Sequence, residues 1–140
     1  MTVAFLKNLC GSRMRLHPPA TKESMQEIEQ RLGIKLPDQY IDFMLETNGC
    51  EGMVGDHDNS FLMIWPAEKI IQLNDGHLAN RFNLGLIYFG SDGGGMAYAF
   101  DIRDYTTPIV EIPFESIHAD DARFCGRTFT EFLQYLAKRT

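Results

Sequence analysis

At 140 residues, with 44% hydrophobic and 23% charged side chains, the chain has the make-up of one globular domain able to bury its own core. A net charge of −6 argues against nucleic-acid binding as its main task, because phosphate contact needs clustered Lys and Arg. Three cysteines, Cys10, Cys50 and Cys125, show no CxxC spacing, which speaks against a disulfide framework or a zinc site and fits free thiols in a reducing compartment.

Met1 to Ala20 lacks the uninterrupted apolar core of a signal peptide, being broken by Lys7, Asn8, Arg13 and Arg15. No run approaches the roughly 20 apolar residues of a membrane span. The expected location is therefore the cytoplasm. Residues 1–140 read as a single domain, with residues 1–20 as an N-terminal extension. Within it, Val3 to Leu9 fits a short helix or an edge strand, and His17-Pro18-Pro19 is an extended lead-in.

The stretch from Met25 to Gly49 reads as helix, break, helix, stop. Thr21 is the N-cap of the first helix, and Met25, Ile28 and Leu32 recur at the spacing of one buried face. Gly33 ends that helix in the left-handed region, and Leu36-Pro37 starts the next, since proline suits a first turn. Asn48-Gly49 is read as its stop. On this second helix Tyr40, Phe43, Met44 and Thr47 share one side, widened by Ile41 and Leu45. The remaining strip holds Asp38, Asp42 and Glu46 at i, i+4, i+8. Like charges at that spacing repel by a few tenths of a kcal/mol per pair, and Glu46 lies near the unfavourable end of the helix dipole. A solvated acidic face is one reading and a surface kept for a basic partner is the other.

Cys50 to Ser60 reads as a loop or loose hairpin rich in glycine, acid and asparagine. Phe61 to Trp65 is a short buried strand stopped by Pro66, and Pro66 to Leu73 a short helix with Ile70, Ile71 and Leu73 inward. Asn74 to Arg81 reads as a polar loop. Leu84 to Phe89 is a second strand, Gly90 to Gly95 a turn and Met96 to Phe100 a third strand. There large residues alternate with alanines, so one face meets the core and the other something close. Asp104 to Thr107 turns the chain into a fourth strand, Ile109 to Ile112. The last helix opens on the capping box Thr128-Phe129-Thr130-Glu131 and places Phe129, Phe132, Leu133 and Leu136 on one face. The predicted class is α+β: a mostly antiparallel meander flanked by helices.

With these elements in order, the run RLGIKLPDQYIDFMLETNG resembles the opening signature of the SUKH superfamily (the SMI/KNR-type domain). FGSDGGGMAYAFD is similar to that family's glycine-rich hairpin, and TFTEFLQYL to its C-terminal helix. The three stretches follow the family's order from Thr21 to Leu136. The resemblance implies an α+β fold and a recognition role, as in bacterial immunity proteins that neutralise toxins, often nucleases, and in fungal regulators of cell-wall synthesis. It brings no catalytic residues. Its shared positions, Leu36, Pro37, Asn48, Gly49, Gly90, Asp92 and Gly93, have structural explanations as helix starts, stops and turns. Cys50 departs from the glycine common there, and residues 1–20 have no clear counterpart.

Chemical alternatives carry less weight. Gly93-Gly94-Gly95 lacks the Lys-Ser/Thr and the following helix of a phosphate loop. Asp56-His57-Asp58 with His77 lacks metal-ligand spacing, and Cys50 or Cys125 with His118 lacks any orienting acid or oxyanion hole. No catalytic residue, metal or cofactor is expected. The acids are unevenly spread: Asp38, Asp42, Glu46, Glu51, Asp56, Asp58 and Glu68 lie between Lys35 and Lys69 with no Lys or Arg among them. The expected partner is a basic protein, a nuclease-type toxin, met by Asp38, Asp42, Glu46, Asp56, Asp58, Asp92 and Asp104, with Trp65 as a core residue that keeps a possible rim role. The alternative is a regulatory or scaffold module for an endogenous cytoplasmic protein, and a third is an enzyme with an unrecognised site.

Overall fold

Seven strands hydrogen-bond in sequence order, each antiparallel to the next, to make one continuous meander. The computed structural model describes residues 4, 6, 8, 14–55, 60–74 and 85–138. In chain order the elements are β1 (Met14–Leu16), α1 (Lys22–Leu32), α2 (Asp38–Glu46), β2 (Cys50–Val54), β3 (Ser60–Ile64), α3 (Ala67–Asn74), β4 (Leu86–Ser91), β5 (Met96–Asp101), β6 (Ile109–Pro113), β7 (Arg123–Gly126) and α4 (Phe129–Lys138). A 3-10 turn, Ala119–Asp121, precedes β7. The α+β class holds.

Opposed residues of antiparallel strands share a face, so the register shows where the core sits. Phe100 opposes Ile87 and Ile109, and Tyr98 opposes Gly90 and Glu111. A bulge at Phe89 turns that ring onto Phe100, with centroids 4.4 Å apart and nearly parallel planes. Helices α2 and α4 lay their aromatics on this face: Tyr40 meets Phe100 at 5.0 Å, Phe132 meets Tyr98 at 4.9 Å, and Phe43 meets Phe129 at 5.0 Å. Ala97, Ala99, Val110 and Ile112 on the opposite face are buried as well. The alternation in β5 thus marks a sheet covered on both sides, as its alanines imply.

The helix pair forms for the expected reasons, with corrections at its ends. Thr21 caps α1 through a reciprocal pair of bonds with Ser24, and Gly33 closes it at φ 65°. Pro37 stands one place earlier than expected, as the N-cap of α2. That helix ends at Glu46 with Thr47 extended, so Asn48-Gly49 is not its stop. Asn48 instead caps the next helix in space, its Oδ1 accepting the Ala67 N–H at 2.8 Å. Gly49, at φ 91°, lies so close to the β3–α3 corner that a Cβ would overlap the Ile64 carbonyl oxygen and sit 3.1 Å from Pro66 N. Gly90 is constrained likewise, against the Met63 carbonyl.

Two strands escape the sequence reading: β1 and β7. Cys50 to Val54, within the stretch read as a loop or loose hairpin, pairs along its length with β3, so the hairpin is the reading that holds. Asn74 is a sharper correction. It is the fully buried last residue of α3, not the start of a loop, and its amide accepts the Tyr88 N–H and donates to the Tyr88 and Ile70 carbonyls. Strand β3 reaches β4 only at Met63 and Ile64, and the Asn74 side chain takes over where that pairing stops. Of the expected inward residues of α3, Ile70 is buried whereas Ile71 and Leu73 are half-buried.

Candidate partner-binding surface

The predicted faces of α2 are the observed ones. Tyr40, Phe43, Met44 and Thr47 are buried, while Asp38, Asp42 and Glu46 are exposed. Gln39 ties the helix to α4, its Oε1 accepting from the backbone N–H and the hydroxyl of Thr130, both at 3.0 Å. The acidic strip therefore rides on a helix fixed at both its buried face and its flank. Its charges differ in their surroundings. Asp38 pairs with Lys35 at 3.3 Å, and Asp42 has no cation within 4 Å among the described residues.

At its N-terminal end α2 borders a cleft of about 530 Å³ between the α1–α2 connector, residues 33–38, and the β5–β6 hairpin, residues 102–107. Glu29 of α1 pins the connector: its carboxylate accepts the Leu36 N–H at 2.8 Å and lies 3.6 Å from Lys35 Nζ. Leu36 is buried by this arrangement. On the other wall, Asp104 Oδ1 accepts from the backbone N–H and the hydroxyl of Thr106 at 2.9 and 2.8 Å, and Thr107 N–H closes the turn on the Asp104 carbonyl. Those hydrogen bonds from Thr106, backbone first, hold the Asp104 carboxyl below its ordinary range. Thr107 sits at φ 47°, rare for a β-branched residue. At the tip stands Tyr105, 97% exposed.

The structure thus brings Asp38 and Asp104 to one cleft and leaves Asp42 and Glu46 further along the same helix. Asp92 is elsewhere. It lies beyond the opposite end of β5 from Asp104, and a strand of that length spans about 20 Å. Its Oδ1 accepts the Gly94 and Met96 amides at 2.8 and 3.1 Å, so it shapes the β4–β5 turn, where Gly93 at φ 79° packs against the Phe61 ring. Asp56 and Asp58 lie outside the described residues. Trp65 is only 7% exposed and packs on Phe114, and it lines a separate, smaller pocket with His17, Glu51 and Lys69.

Tyr105, Ile102, Ile34 and Thr107 also line the cleft and were not singled out from the sequence. A signal for one exists: an aromatic at position 105 inside the polar turn Asp104 to Thr107 has no core within reach. Elsewhere, Glu111 is buried and accepts from Tyr135 Oη at 3.1 Å and from Cys125 Sγ at 3.4 Å. Among the described residues no group of three or more His, Cys, Asp or Glu is arranged to hold a metal ion. No helix among them is long and apolar enough to cross a membrane.

The architecture is a helix-flanked antiparallel meander with a surface cleft between residues 33–38 and 102–107. The model of the SMI1 / KNR4 family (SUKH-1) matches residues 19–135, and the chain belongs to that family. The match covers the helix pair, the whole sheet from β2 onward and most of α4. A comparison with curated proteins finds no match.

Proposed function

We propose that this chain is a protein-binding immunity protein that neutralises a basic, nuclease-type toxin in the cytoplasm by covering its cationic site. The observation that carries the reading is the outward strip of α2. Asp38, Asp42 and Glu46 are all exposed on a helix anchored by its other faces, and Asp42 has no cation within 4 Å among the described residues. Lys35 offsets Asp38, but repulsion between like charges four residues apart gives folding no reason to place Asp42 there. A cationic partner would gain encounter rate and register from it. Family membership supports a binding role.

The test is protection. The product of an adjacent toxin-like reading frame, expressed with this chain, should co-purify with it and lose its toxicity. The double variant Asp42→Lys with Glu46→Lys should stay folded and lose both effects. Undiminished protection by that variant would remove α2 from the interface.

A further inference from the structure

We propose that the cleft between residues 33–38 and 102–107 receives an arginine side chain from the protein partner. The inference rests on the protein-binding reading above and names the group that the partner inserts. Three features of the cleft match a guanidinium on an aliphatic stem.

Asp38 and Asp104 stand on its two walls, and each has committed only one oxygen. Asp38 Oδ1 faces Lys35 Nζ, and Asp104 Oδ1 holds the Thr106 turn, so among the described residues neither Oδ2 atom has a hydrogen-bond donor. Tyr105 adds an aromatic ring almost wholly in solvent, the surface on which a planar cation stacks. Ile34 and Ile102 add apolar lining for the methylenes.

Nearby cations among the described residues are already engaged or distant. Lys35 also lines the cleft, but its ammonium already donates to the Leu36 carbonyl at 2.9 Å and faces Asp38 and Glu29. Arg127 acts on Asp104 from beyond ion-pair distance. The walls are pre-set: the Asp104 turn and the Glu29–Leu36 bond hold them without a ligand, which lowers the ordering cost of binding.

The experiment uses the whole chain and the capped tripeptide acetyl-Leu-Arg-Leu-amide, with citrulline and lysine twins, followed by backbone amide shifts. Saturable shifts confined to residues 33–38 and 102–107 are expected at millimolar peptide, as a few exposed polar contacts allow. The citrulline and lysine twins should bind several-fold more weakly. Tyr105→Ala should cost about threefold to tenfold, as loss of an exposed cation–π contact implies. Asp104→Asn, which keeps the Oδ1 acceptor of the turn and loses the charge, should do likewise. Absence of saturable shifts, equal binding of either twin, or indifference to Tyr105→Ala would each overturn the cleft assignment. The acidic strip would then still stand or fall by the protection test.

Discussion

Two joints of this molecule use the same chemistry at opposite degrees of burial. At the β2–α3–β4 joint, Asn48 and Asn74 spend their amides on backbone groups, one capping α3 and the other completing the edge of β4. At the β5–β6 hairpin, the Asp104 carboxylate likewise spends an oxygen on backbone. Asn48 is half-buried and Asn74 lies fully in the core, where an unpaired polar group costs far more than a paired one contributes. The second joint stands in water and holds up Tyr105. A polar side chain bonded to backbone is therefore not in itself a mark of function. Its burial, and what it presents to solvent, separate scaffold from surface.

The comparison breaks most easily at Asn74. Asn74→Leu leaves the Tyr88 N–H and carbonyl without their partner inside the protein and should lower stability by about 2–5 kcal/mol, read from urea unfolding. A loss below about 1 kcal/mol would mean that the joint is not a keystone. Tyr40 supplies the converse. Its hydroxyl is buried with no hydrogen-bond partner among the described residues, and burial pushes the phenol pKa well up. Tyr40→Phe should thus be neutral or stabilising by about 1 kcal/mol in the same assay.

At the base of the hairpin, Arg103 grips Asp101 through two side-chain bonds of 2.9 and 2.8 Å, which hold the carboxyl below its usual 3.8. A depressed carboxylate stabilises the fold above its unfolded pKa, and this contribution is lost as pH falls through the folded value. The urea midpoint should therefore fall in acid below about pH 4, and less steeply in Asp101→Asn. The smallest effect belongs to the tip: Tyr105→Ala should shift stability by no more than about 0.5 kcal/mol. A larger loss would make Tyr105 part of the scaffold.

Much of this fold is legible from periodicity alone. Helices α1, α2 and α4 bury the faces that their spacing predicts, because a 3.6-residue repeat is a local property. Strands β1, β2 and β7 leave little local trace. They are short, Gly52 interrupts one, and half of Arg123–Gly126 is exposed. Their existence depends on partners distant in the chain. Asn74 is illegible for the same reason, since its role follows from where β3 stops pairing. At the surface, the acidic strip of α2 is readable, but its meeting with the hairpin is not. No sequence spacing places Asp104 across a cleft from Asp38 while sending Asp92 to the far end of the sheet.

The central claim is that charge on the α2 face serves a cationic partner. Its most direct test is the association rate with the co-purified toxin, measured against ionic strength for the native chain and for Asp42→Lys with Glu46→Lys. A steered encounter predicts a native rate that falls steeply with salt, and a variant at least about tenfold slower at low salt with a flattened dependence. Equal rates and equal salt slopes for the two proteins would contradict the account.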